Sequence, residues 1–264
     1  MTAVRCLLTY LLLFTTASLA WARDAQASRP VFNPEVLDAL RAQATADINR
    51  RLDALTPDAL AEAARAFFAT RDAQSATRPT AAEVESMVAA YRTELVLAAV
   101  HAALKAAYPQ AVVDRPIWIW NNVGGIYARM AILACGLHEY VALFGTNVAQ
   151  QGFSGYHAGM EVWDIMVTGA MWSYGASAMA ANPLRYTPGG RVSVLSRSET
   201  RYYTMDAFTY MIDYGRGTIA RAFWQGILAP YFFINHDWES LKTQLGVCTE
   251  QMLPFLSASG QASD

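Results

Sequence analysis

Charge is scarce in this 264-residue chain: Asp, Glu, Lys and Arg supply 16% of it, against about 25% in an ordinary soluble domain. The net charge is −2 and no cluster of Lys or Arg occurs. The basic footprint that phosphate backbones demand is therefore missing, which excludes nucleic acid as a partner. Histidine is scarcer, with four in all and none in a His-x-His pair. His138-Glu139 begins a zinc-protease signature but lacks the second histidine, so no metal site is expected. Gly152-Phe153-Ser154-Gly155 runs on into Tyr156 and misses the nucleophile-elbow spacing, and no phosphate loop is present. Of three cysteines, Cys6 lies near the N-terminus. Cys135 and Cys248 are far apart, and this reading favours two buried thiols over one disulfide. No Gly/Ser- or Pro-rich linker divides the second half, so one main domain is expected.

Apolar residues make up 54% of the chain, which suits a protein that touches lipid or encloses an apolar cavity. Residues 6–22 are uncharged between Arg5 and Arg23, at the short end of the roughly 17–25 residues that span a bilayer. Ala20-Trp21-Ala22 resembles a small-residue cleavage site. Residues 1–22 thus read as a signal peptide or a membrane anchor, and residues 23–108 as a helical region. Asn33-Pro34-Glu35 and Thr56-Pro57-Asp58 are helix starts, and Thr80 to Glu83 is a capping box opening a helix to about Ala107. The stripe Val84, Met87, Tyr91, Leu95, Ala98 and Ala102 marks its expected packing face. His101, between Leu97 and Leu104 in the pattern, reads as a packed histidine.

After Pro109 the punctuation changes. Ile117–Trp120, Ala131–Phe144, Met160–Thr168, Arg191–Leu195 and Tyr202–Ile212 are short strand-like runs set off by Asn, Gly and Pro turns, the pattern of a sandwich or barrel. Ala128–Leu137 has no clear period and reads equally as a short helix. Thr218–Ile234 and Asp237–Phe255 return to helical pattern, and Arg221, Gln225 and Pro230 make the first an unlikely membrane span, better suited to lying on the membrane surface. Carboxylates in apolar sequence carry what chemistry there is. Asp213 falls where the strand-like run gives way to the helical one, and a buried acid needs a partner or a proton. In Met160–Thr168, strand parity puts Val162, Asp164, Met166 and Thr168 on one face and Glu161 on the other. Asp164 is therefore the candidate partner for Asp213, with a turn cap or arginine pairing as the structural alternative. Glu139 reads equally as a hydrogen-bond partner within the fold.

Several stretches also carry a resemblance: Trp120-Asn-Asn-Val-Gly-Gly125, Glu139 to Thr146, Ser154-Gly155, Glu161-x-x-Asp164 with Ile165 to Gly169, Tyr186-Thr-Pro-Gly189 and Met211 to Gly217. In order, they resemble the fungal sterol C-8 isomerase and type 1 sigma receptor family, over roughly 110–256 and a short piece near 31–43. The resemblance implies an α+β fold in which residues 109–264 form a cupin-like β-barrel without a metal, flanked by N-terminal helices and two C-terminal membrane-associated helices. It places Asp164 and Asp213 as the two pocket acids, with Met130, Tyr140, Phe144, Val162 and Met205 in the walls. The receptor has a tryptophan at the position of Met205 and a glutamate at that of Asp213.

The activity implied is a sterol Δ8-to-Δ7 isomerase, which moves a ring double bond by adding one proton and removing another without a cofactor. The alternative is a non-enzymatic receptor in which the same acids bind sterols or cationic amphiphiles. A third reading is a filled barrel on a membrane surface. The expected partners are a sterol or other hydrophobic small molecule and membrane lipid, and assembly into a homo-oligomer is left open. The expected location is the endoplasmic reticulum membrane in a eukaryote, and the periplasm or a membrane in a bacterium.

Overall fold

The computed structural model describes residues 30–69, 79–136, 138–155, 159–175, 183–196, 199–217, 226 and 228–259, with side chains up to residue 251 in the last stretch. The expected leader at 1–22 and the opening of the helix expected from Thr218 lie outside these residues. Among the described residues three helices come first, α1 (Pro34–Asp53), α2 (Pro57–Ala69) and α3 (Ala81–Ala107). Each start follows its sequence signal. The Asn33 side chain accepts from the Glu35 and Val36 amides, and Thr80 and Glu83 form a reciprocal capping box.

Ten strands follow: β1 (Ile119–Val123), β2 (Ile126–Cys135), β3 (Glu139–Thr146), β4 (Gln150–Phe153), β5 (Met160–Thr168), β6 (Met171–Gly175), β7 (Leu184–Tyr186), β8 (Ser193–Leu195), β9 (Arg201–Met205) and β10 (Thr209–Gly217). They form two antiparallel sheets, one in the order β1-β2-β3-β10-β5-β8 and one in the order β4-β9-β6-β7. Among the described residues the ladder does not run on from one sheet into the other, so the architecture is helices plus two facing sheets rather than one closed barrel. A π-helical turn (Pro230–Asn235) and α4 (Trp238–Ser259) are the last of the described elements.

Both faces of the larger sheet are covered, which is why its strands read as apolar runs rather than clean alternation. The outer face packs Ala131, Leu133, Val141, Leu143, Ile165, Ile212 and Tyr214 against Leu37, Val96, Leu97, Val100 and Leu104 of the helical layer. The inner face packs Met130, Ile132, Ala142, Phe144, Met166 and Met211 against Met171, Tyr203 and Met205 of the smaller sheet, with Tyr231, Leu241 and Cys248 from the C-terminal segment. A bulge in β2 between Ile132 and Ala134 sends Leu133 and Ala134 together to the outer face and returns Cys135 to the inner one. That broken parity accounts for the missing period in Ala128–Leu137, which is strand rather than helix.

Three further expectations are corrected. The buried face of α3 is Thr93, Val96, Leu97, Val100 and Leu104. The predicted stripe is only half-buried where Tyr91 meets Phe67, and it is exposed at Ala98 and Ala102. With alanine all round the helix, the face is chosen by which large side chains the sheet can receive. This helix is also, among the described residues, the one long and apolar enough to cross a membrane. Second, the run Tyr202–Ile212 is two strands, β9 and β10, turning at Phe208, whose φ is 57°. β10 continues past Asp213 to Gly217, because β3 and β5 pair with it on both sides up to Arg216 and Gly217. Third, Cys135 and Cys248 are joined by a disulfide, with Cα atoms 5.1 Å apart.

The N-terminal segment is held by Glu139. Its carboxylate accepts from the Val31 and Phe32 amides at 2.7 and 3.3 Å and from the Tyr214 hydroxyl at 3.0 Å. His101 Nε2 donates to the Val113 carbonyl at 2.9 Å, as a packed histidine would.

The disulfide closes a sequence separation of 113 residues, a loop size for which chain entropy predicts about 4–5 kcal/mol, with native strain reducing it. Cys248→Ser is expected to lower the melting temperature measured by circular dichroism, and reductant is expected to lower that of the wild type alone.

Candidate functional site

The inner face of the larger sheet and the facing smaller sheet enclose an apolar cavity. Space open to the centre of a water molecule amounts to ≈ 130 Å3, within ≈ 1050 Å3 free of protein atoms once the mouth is counted. It is thus a narrow slot. Four methionines line it, Met130, Met171, Met205 and Met211, and methionine is the side chain that most readily re-packs around a ligand. Met130, Tyr140, Phe144, Val162 and Met205, all taken from sequence as pocket residues, lie in its walls, as do Asp164 and Asp213.

Register brings the two acids together. Asp213 on β10 is directly opposite Asp164 on β5, and side chains of facing residues project to the same side with Cα atoms about 4.5–5.5 Å apart. Glu161 pairs instead with Arg216, 3.6 Å away on the other face. On the remaining flank of β10, Gly215 faces Tyr140 of β3, and the Tyr140 hydroxyl donates to Asp213 Oδ1 at 2.9 Å. A side chain at Gly215 has no room, since a Cβ there would lie 2.2 Å from the Tyr140 ring. Gly215 and Gly217 are both strand residues of β10, and Gly215 is the seat of the tyrosine.

The electrostatics are those of two acids sharing little solvent. Burial pushes the Asp213 carboxyl up to about 8, the neighbouring Asp164 charge adds to the rise, and the Tyr140 hydrogen bond opposes it. Burial also raises Asp164, to about 6, but Ser193 and the Arg201 guanidinium favour its ionised form. Ser193 sits across β8 from Asp164 in register, although its hydroxyl makes no well-aligned hydrogen bond. Burial thus raises both carboxyls, and two neighbouring acids out of water favour keeping a proton between them. Burial and Asp164 together raise the Tyr203 phenol, which keeps it protonated. Ser193, Arg201 and Gly215 were not picked out from sequence. Ser193 and Gly215 show their roles only once the strand register is known.

The arrangement defines a class: a two-sheet protein enclosing an apolar slot with two buried carboxyls side by side on one wall. Among known proteins, the family described as "ERG2 and Sigma1 receptor like protein" matches residues 65–259. The chain belongs to this family. Similar proteins include the "Protein erg2 homolog" of Dictyostelium discoideum, 30% identical over 61% of this chain and 60% of that protein. The "C-8 sterol isomerase" of Pyricularia oryzae is 32% identical over 39% of this chain and 44% of that one. The "Sigma non-opioid intracellular receptor 1" of Danio rerio is 29% identical over 70% and 83%. The chain spans about half the length of the first two of these relatives. Among solved structures, KdgF from Halomonas sp. is similar at a TM-score of 0.33 and 15% identity, over 40% of this chain and 93% of that one.

The raised acids fix the sign of a pH effect. Unfolded, each carboxyl ionises near 3.8, whereas folded Asp213 holds its proton to about 8. Its contribution is complete below the unfolded value and is lost as pH rises towards the folded one, at about 1.4 kcal/mol per pH unit for a full proton difference. The wild type is expected to lose melting temperature between pH 5 and pH 8, and Asp213→Asn is expected to flatten that loss, most visibly above pH 6.

Proposed function

We propose that the protein is an isomerase of the sterol Δ8-to-Δ7 type, with Asp213 as the acid and Asp164 as the base. The observation that carries this reading is the facing pair itself, two buried carboxyls directly opposite each other in the wall of an apolar slot. A sterol lies with its ring double bond against the pair. Asp213 gives its proton to C-9, leaving a cation centred at C-8, and Asp164 takes a proton from C-7 as the Δ7 bond forms. After this step Asp213 is ionised and Asp164 protonated, and loss of a proton from Asp164 to solvent with uptake of one from solvent by Asp213 resets the site. The carboxylate left beside the cation lowers the barrier electrostatically. The chemistry uses no cofactor. Met130, Tyr140, Phe144, Val162 and Met205 form the walls against the ligand, and Tyr140 holds the Asp213 carboxyl in place.

In this reading the two facing sheets act as a cupin-like barrel spanning the 109–264 region, carried on the helical region 23–108. Residues 1–22 and the C-terminal helical segment keep the protein at a membrane, where its lipid substrate resides. The second reading is a binding protein in which the same pair receives an ammonium group. Its support is the similarity to the Danio rerio receptor over most of both chains, and a site suited to a carbocation suits an ammonium as well. Aspartate in place of the receptor's glutamate at Asp213 shortens the reach of the acid by one methylene.

Purified protein incubated with a Δ8 sterol in heavy water separates the two. The isomerase reading expects a Δ7 product with deuterium at C-9, and amine binding without turnover supports the receptor reading. Asp213→Asn and Asp164→Asn are expected to lower turnover at least a hundredfold while the circular dichroism spectrum stays native. The wild-type kcat/KM is expected to trace a bell, its limbs near the values of about 6 and about 8 given for the two acids.

A further inference from the structure

The acid pair occupies one region of the slot, and a second polar group stands in its wall on the opposite side of the larger sheet. Asn121 of β1 is 2% exposed and lines the cavity. Its Nδ2 donates to the Gly226 carbonyl at 3.3 Å and to Met130 Sδ at 3.4 Å. Both partners only accept, so they fix the amide orientation: the nitrogen faces them, and the oxygen faces away. Asn121 Oδ1 has no hydrogen-bond partner among the described residues. A buried acceptor left without a donor is costly to the free protein, and a group that supplies the donor recovers that cost on binding.

Strand geometry sets how far this acceptor lies from the acids. Asn121 pairs with Ala128 on β2, β2 pairs with β3 through Ile132 and Ala142, and Ala142 faces Asp213. Three strand spacings and four residues along a strand separate the two sites, on the order of 10–20 Å after allowing for sheet curvature and side-chain reach. A ligand touching both is an elongated apolar molecule with distinct polar ends.

We infer that Asn121 is a specificity-determining residue, accepting a hydrogen bond from a hydroxyl or amine at the far end of an elongated apolar ligand whose other end lies against Asp164 and Asp213. The inference rests on the reading of the acid pair as the cation-binding end of the slot. It selects ligands by the presence of a donor and by the distance between the two ends. An ether or ketone at the far end meets an acceptor with an acceptor, and is rejected for the same reason that sites built around a polar group reject analogues that cannot pair with it.

A graded series of ω-amino alcohols, from octyl to tetradecyl, tests this by calorimetry on the full chain. Each is compared with its methyl ether and with the plain alkylamine. At the best length the wild type is expected to bind the alcohol about tenfold more tightly than the ether. Asn121→Leu and Asn121→Ala are expected to bring that ratio to about one while binding the plain alkylamine as the wild type does. The wild-type series stands alone if neither variant folds, and no preference for the alcohol at any length overturns the inference. Preference surviving in both variants overturns it too, and in either case amine binding leaves the reading of the acid pair standing. Failure of every amine to bind overturns that reading and this inference with it.

Discussion

One rung of one ladder organises this molecule: the pairing of Asp213 with Asp164 between β10 and β5. Two carboxyls facing each other out of bulk water cannot both ionise easily, so the rung persists only where the surrounding structure leaves no other register. The fold meets that demand by making β10 a central strand, hydrogen-bonded along its length to β3 as well as to β5. A shift of β10 by one residue would bring Ile212 or Tyr214 into the slot and Asp213 into the layer against α1 and α3. The outer face is thus part of how the inner face is kept in register.

Glu139 and Tyr140 show how closely the two faces are tied. They are neighbours on β3 and point to opposite sides. Glu139 gathers the Val31 and Phe32 amides and the Tyr214 hydroxyl on the outside, while Tyr140 donates to Asp213 within. Tyr214 likewise adjoins Asp213 on β10. The same short lengths of strand therefore bind the N-terminal segment to the sheet and position the acid that holds the proton.

Parts of this were legible in sequence because they depend on local chemistry. Helix caps at Asn33 and Thr80 are written in consecutive residues, and parity within a single strand was enough to prefer Asp164 to Glu161. What stayed hidden depends on partners distant in the chain. Asp213 lay by pattern at the end of a strand, because the pairing that extends β10 to Gly217 comes from β3 and β5. The bulge at Leu133 erased the period of β2. The packing face of α3 was misread because a helix rich in alanine offers apolar surface all round, and the sheet selects among the larger side chains. The resemblance to a known family named the pocket residues, and register explains why residues so far apart in sequence share one wall.

The disulfide has a meaning for traffic as well as for stability. Cys135 closes β2 and Cys248 lies in α4, and both stand in the cavity wall. While that bond is intact, this side of the slot is a riveted seam: α4 cannot peel from the end of β2 to admit a molecule. A molecule entering or leaving does so along a different edge of the slot.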